Sequence, residues 1–340
     1  MRTIVRAVLR GALRDIRHVE AVPPGRAQGP VARVYEQAQR DFGVLAPPLA
    51  LHSAAPEPLA ASWLMLRETL LVEGRVDRAV KETVATEVSR ANSCPYCVDV
   101  HRATLEALPP AGDVEPVARW IRAAAGGQEP GPAPFTAAEA PEILGVALTF
   151  NYLNRMVGIF LEDSPLPPRT PAAARGTILR TVARTMRPVA GPLVAGAALD
   201  LLPDAPLPRA LEWARPAPAV AAALGRSLAA VDRAAHWVPG PVRELLAARL
   251  ADWDGTPAGI GTAWLDEALA ALDPKDRPAG RLALLTAFAA YRVTEQDVAA
   301  FRANHPGDRE VVELTSWAAL ATAVRLAARP LGLLAAPAHP

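Results

Sequence analysis

Lys81-Glu82-Thr83-Val84-Ala85-Thr86-Glu87-Val88-Ser89-Arg90-Ala91-Asn92-Ser93-Cys94-Pro95-Tyr96-Cys97-Val98-Asp99-Val100-His101 reads as one helix, a two-residue break and the opening of a second helix. Val80, Val84, Val88 and Ala91 recur at intervals of three and four, the spacing that lines one face of a helix. Asn92 and Ser93 break that pattern. Pro95 fits the first turn of the next helix, where its missing N–H forfeits no bond. Working outward, residues 58–72, 77–92, 95–108 and 141–161 all carry apolar spacing near 3.6, with Pro or Ser close to their starts. The expected fold class is all-α.

Composition agrees. Apolar residues make up 51% of the 340, aromatics only 5%, and long β-branched runs are scarce, which argues against a sheet protein. The 35 prolines alternate with Ala-rich and Leu-rich segments, the pattern of short helices punctuated by proline rather than of disorder. Lys and Arg number 36 against 35 Asp and Glu, a net charge of +1. That balance lacks the clustered positive charge expected of a nucleic-acid or anionic-membrane binder. No run of about 18 uncharged apolar residues occurs, 188–199 coming nearest, so a soluble protein with no membrane partner is expected. The only cysteines, Cys94 and Cys97, would close too small a loop to staple a chain of this size. Redox or metal chemistry in a reducing cytoplasm is the expectation.

The chain also repeats itself. Arg2 to Arg10 resembles a basic targeting peptide, yet Gly176 to Arg184 repeats five of its nine residues in place, so both stretches read as the opening helix of a module. Pro48 to Pro58 matches Pro208 to Pro218 at six of eleven positions, and the stretch from Arg309 to Arg329 resembles that from Glu139 to Phe160. Two helical modules, 1–168 and 169–336, packed as an internal pseudo-dimer are expected, with the seam in the proline-marked segment 165–171.

Cys94 falls at a helix N-terminus, where unpaired N–H groups and the helix dipole favour thiolate over thiol. Cys97 follows by three residues and His101 by four more, which sets both sulfurs and the imidazole along one stripe. A base would then face a nucleophile that faces its resolving partner. A carboxylate on the preceding helix would complete a relay. At a rise of about 1.5 Å per residue, Glu82 stands level with His101 and Glu87 level with Cys97 across the turn, so periodicity leaves both open.

Glu82, the eleven residues after it, Cys94-Pro95-Tyr96-Cys97 and His101 together resemble the signature of AhpD-like alkylhydroperoxidases of the carboxymuconolactone decarboxylase superfamily. The resemblance covers about residues 30–160, including Asp41-Phe42-Gly43, His52 and Phe150-Asn151-Tyr152-Leu153-Asn154-Arg155. It implies an all-α, usually oligomeric protein without a cofactor. It also implies a cycle in which Cys97 attacks a hydroperoxide, Cys94 resolves the sulfenic acid to a disulfide, an external dithiol reduces it, and Glu82 with His101 relays protons. Tyr96 stands where the best-known members have a His. An offset of 162 carries Glu82 to Glu244, Glu87 to Arg249, Cys94 to Thr256, Pro95 to Pro257, Cys97 to Gly259 and His101 to Ala263. The second module therefore lacks the chemistry, and the comparison favours Glu82 over Glu87.

Other readings of the pair are weaker. A closed zinc site needs four ligands and no second cysteine pair exists; haem attachment needs His where Val98 stands; a glutaredoxin needs strands. His52, Asn151, Asn154 and Arg155 read as structural or pocket residues, and Tyr96 as a lining or exposed aromatic. The competing functions are a non-enzymatic redox sensor or scaffold and the decarboxylase-type chemistry of the cysteine-free branch.

Overall fold

The computed structural model describes residues 11, 13–109, 112–166, 170–186, 191–256 and 261–329, and every helix or strand assigned among them is a helix. In the first half these are α1 (Gly29–Asp41), α2 (Pro56–Leu66), α3 (Arg78–Ala91), α4 (Pro95–Glu106), α5 (Glu115–Ala125) and α6 (Ala140–Phe160). The second half holds α7 (Ala172–Thr185), α8 (Pro218–Ala234), α9 (Gly240–Asp252), α10 (Ala263–Leu269), α11 (Arg277–Ala289), α12 (Glu295–Arg302) and α13 (Asp308–Ala328). Proline occupies the first or second position of α1, α2, α4, α5, α6, α8, α9 and α11. There its missing donor costs nothing and its fixed φ starts the helix, which accounts for eight of the 35 prolines.

Helix starts recur at one interval. Pro56 and Pro218, Arg78 and Gly240, and Glu115 and Arg277 open corresponding helices, each pair 162 residues apart. The buried stripe repeats with them: Val84 and Val88 in α3 become Leu246 and Leu250 in α9. This register corrects one sequence pairing, since Pro56 rather than Pro58 corresponds to Pro218. The opening repeat at Arg2 to Arg10 lies outside the described residues, as do 167–169 of the seam, 188–190 and the positions of Pro257 and Gly259.

The core runs through both halves. Helices α6 and α13 pack on each other at the centre, and α2 packs on α8. The Tyr152 hydroxyl on α6 donates to Ser316 Oγ on α13 at 3.1 Å. By length and composition both α6 and α13 are apolar enough to cross a membrane, but 94% and 72% of their apolar windows are buried against the rest of the chain. Each fully buried Leu or Phe on these faces contributes roughly 1.5–3 kcal/mol. Helix α2 runs on into a π-helical turn, Arg67–Leu71, that buries Arg67 against Asp41, with Arg67 Nε donating to Asp41 Oδ2 at 2.8 Å. Gly43, with φ of +84°, reverses the chain just beyond α1. The Asp41-Phe42-Gly43 motif thus anchors α1 to α2.

Candidate active site

Helices α3 and α4 form a hairpin that packs against α6, while α7 lies along α4. Asn92 closes α3, Ser93 takes a left-handed φ of +52°, and Cys94 caps α4, its N–H donating back to the Ser89 carbonyl at 2.9 Å. This turn returns the chain so that α4 runs back alongside α3.

The hairpin brings Glu82 and His101 together. His101 Nδ1–H donates to Glu82 Oε2 at 2.7 Å, and Arg78 Nε donates to Glu82 Oε1 at 2.8 Å. Burial alone would raise the Glu82 pKa, but Arg78 and His101 outweigh it and hold the carboxyl below its ordinary range. With Nδ1 committed to a carboxylate, Nε2 of a neutral imidazole is left as the basic nitrogen. Phe150 of α6 meets the imidazole edge-on, ring centroids 4.5 Å apart, and so fixes its plane. Glu87 is engaged elsewhere, with Arg90 at 3.0 Å and Arg122 at 3.4 Å. Beyond the carboxylate, Arg78 and Thr104 line a cavity of about 640 Å³ shared with Leu70, Val72, Leu108 and Met186.

Cys94 and Cys97 are free thiols with 3% and 4% of their surface exposed. The helix start at Cys94, where the sequence reading set an ionised sulfur, is thus closed to solvent rather than open. Burial first, and the neighbouring Cys94 second, push the Cys97 thiol well above its ordinary pKa, while the Asn154 side chain acts in the opposite direction. The cause is the packing of α4 against α3 and α6, which removes solvent that the local helix-terminus argument leaves in place. Tyr96 is buried rather than exposed, and burial beside the two sulfurs raises its phenol.

Sequence reasoning left Asn154 without a chemical role. It lies one turn beyond Asn151 on an otherwise apolar helix, and that polar pair followed by Arg155 inside a buried run was the available signal. Arg155 is buried; Nε donates to the Ala287 carbonyl at 3.0 Å and Nη1 to the Asn151 carbonyl at 2.7 Å. His52 belongs to the core instead, stacked on Tyr152 with centroids 5.6 Å apart and held by burial to a pKa of about 4. Among the described residues no cluster of three or more His, Cys, Asp or Glu side chains is placed to hold a metal ion. The second-half counterparts Glu244, Thr256 and Ala263 are all exposed, so nothing like the buried Glu82 recurs there.

Residues 57–129, which contain the hairpin with Glu82, Cys94, Cys97 and His101, match the carboxymuconolactone decarboxylase family. Over 332 residues the chain is 37% identical to a Mycobacterium tuberculosis (strain ATCC 25618 / H37Rv) protein named alkyl hydroperoxide reductase Rv2159c, covering 92% of this chain and 94% of that one. The chain belongs to the carboxymuconolactone decarboxylase family. As this match to the mycobacterial relative spans both halves, the likeness of this family member reaches well beyond the segment 57–129.

Proposed function

We propose that the protein is a thiol-dependent oxidoreductase that reduces hydroperoxides through a Cys94/Cys97 dithiol–disulfide cycle. The observation that carries this reading is the buried Glu82–His101 hydrogen bond on the same hairpin as the thiol pair. The name of the mycobacterial relative supports it. In the cycle, His101 takes the proton of Cys97 and the thiolate attacks one peroxide oxygen. The O–O bond breaks, the leaving alkoxide takes the proton from His101 as an alcohol, and Cys97 becomes a sulfenic acid. The Cys94 sulfur displaces the sulfenic oxygen as water and forms the disulfide. A dithiol then reduces that bond and is itself oxidised to a disulfide. Glu82 orients the imidazole and offsets the positive charge it gains.

We read residues 1–168 as the reacting module and 169–336 as a degenerate copy that supplies the packing partner a single module would take from a second subunit. Higher homo-oligomers remain compatible with this reading. The burial of both sulfurs favours one alternative, a non-enzymatic redox sensor or scaffold in which the disulfide changes packing or partner binding. Decarboxylase-type chemistry is separated by alkylating both cysteines, which would leave that activity intact. The deciding experiment is steady consumption of an organic hydroperoxide with a dithiol donor. Turnover that Cys97→Ser abolishes is expected, whereas a single oxidation per chain with no further consumption would favour the sensor.

A further inference from the structure

The mechanism above leaves two polar features unused: the buried Arg155 guanidinium, with no acidic partner among the described residues, and the side chains of Asn151 and Asn154, buried, with that of Asn92, half-buried. Arg155 receives no carboxylate contact among the described residues, its bonds going to the Ala287 and Asn151 carbonyls and to side-chain amides. Burial without a counterion lowers its pKa to about 9, so it still carries its charge at neutral pH. A buried cation of this kind costs free energy unless something in its surroundings turns negative.

The hydrogen bonds lead from that cation toward the sulfur. Arg155 Nη1 donates to Asn92 Oδ1 at 3.2 Å. Asn92 Nδ2 donates in turn to Asn154 Oδ1 at 3.1 Å and to Asn151 Oδ1 at 3.0 Å. Asn154 Nδ2 has two hydrogens. One goes to Ser89 Oγ at 3.0 Å, and the side chain also stands within hydrogen-bonding reach of Cys97. Asn151 is a side branch whose Nδ2 donates to the Ala147 carbonyl at 3.0 Å, while Asn92 and Asn154 each accept on the oxygen from the cation's side and donate from the nitrogen onward. The dipoles therefore align head to tail, the arrangement in which successive hydrogen bonds polarise and strengthen one another in a low dielectric.

We propose that Asn154, polarised through Asn92 by the buried Arg155 guanidinium, is the donor that stabilises the Cys97 sulfur when it carries negative charge. Asn154 is then a catalytic residue in contact with the reacting atom, and Asn92 and Arg155 are positioning residues. The proposal rests on the reading of Cys97 as the nucleophile. It supplies what that reading lacks, a source of anion stabilisation at a sulfur buried away from water. Cys94 and Tyr96 are the titratable neighbours on the same hairpin, with the Glu82–His101 pair one turn along α4. On α7, which packs along α4, Arg180 and Arg184 are exposed and Arg175 is bound to Ser164, so Arg155 is the buried cation joined to the site by this series.

The test uses the full chain in a Cys94→Ser background, where Cys97 is the sole thiol, and follows the rate of iodoacetamide alkylation against pH. Neither peroxide nor reductant enters the assay, so a failure of peroxidase turnover sinks the proposed function without touching this result. Asn154→Leu is expected to slow alkylation at least tenfold at pH 7 and to move the midpoint of the profile up by about one unit or more, leaving the high-pH plateau unchanged. Asn92→Ala, at the partly exposed turn, is expected to shift the midpoint in the same direction by less, and Arg155→Lys to retain part of the effect. A merely structural role would lower the plateau without moving the midpoint. Unmoved midpoints in both Asn154→Leu and Asn92→Ala, with unchanged far-UV circular dichroism, would overturn the proposal. Should Asn154→Leu not fold, the Asn92→Ala midpoint alone decides.

Discussion

Glu82→Gln is the substitution from which the relay has most to lose. The side chain is wholly buried and its two oxygens are divided between Arg78, about a quarter exposed, and the largely buried His101. Glutamine keeps the volume and one acceptor but removes the charge. A charge-assisted bond contributes about 1.5–3 kcal/mol and a neutral one about 1, so the His101 contact loses about 1–2 kcal/mol. The more solvated Arg78 contact loses up to about 1 more. A destabilisation of about 1–3 kcal/mol at pH 7 is therefore expected in urea unfolding. The sign with pH follows from the depressed carboxyl. Its charge stabilises the fold fully above the ordinary value of 4.5 and ceases to do so as pH falls through the lower folded value, so wild type and variant converge only in acid. Peroxide reduction should fall about 100-fold, the low end of what a positioned general acid–base contributes. Equal stability at pH 7 together with undiminished turnover would refute the relay.

Three further outcomes follow from the same geometry. With 3% and 4% of the two thiols exposed, small reagents such as iodoacetamide should modify the native protein much faster than bulky aromatic disulfides, the ratio vanishing on unfolding in urea; equal native rates would contradict the observed burial. Lys81→Met should destabilise by about 3 kcal/mol, because Lys81 Nζ lies 2.6 Å from Glu142 Oε2 inside the fold and its loss leaves that buried carboxylate without its cation, held by the Arg75 and Val76 N–H groups. Adding Glu142→Gln should restore part of that in chemical denaturation, and no rescue would mean the pair is not coupled. Gly225→Ala on α8 should cost stability in a thermal melt, since a Cβ there would stand 2.9 Å from the Ala205 carbonyl oxygen; an unchanged melting temperature would show that the adjoining chain yields freely.

The parts of this molecule legible in the sequence are those set by local rules. Helix boundaries at Pro95 and Pro141 fall within a residue of expectation, because proline and the 3.6-residue period act over a few positions. Glu82 was one of two candidates, and the α3–α4 geometry separates them: Glu82 reaches His101 while Glu87 turns to Arg90 and Arg122. What escaped the sequence depends on packing between distant segments. The helix-terminus argument concerns Cys94 and contains no information about α6 closing over the hairpin, the burial that pushes the neighbouring Cys97 thiol up. Asn154 gains its chemical surroundings from Ser89 and Asn92, 65 and 62 residues away in the chain. Only the fold sets those residues side by side.

The central claim is that Cys94 and Cys97 are the working dithiol. Mixing reduced protein with one equivalent of an organic hydroperoxide and mapping the peptides by mass spectrometry tests it directly. The account predicts one Cys94–Cys97 disulfide per chain, a sulfenic acid trapped on Cys97 in the Cys94→Ser variant, and renewed peroxide consumption when a dithiol is added. Peroxide loss that continues in Cys97→Ser, or both thiols intact after the peroxide is spent, would contradict it.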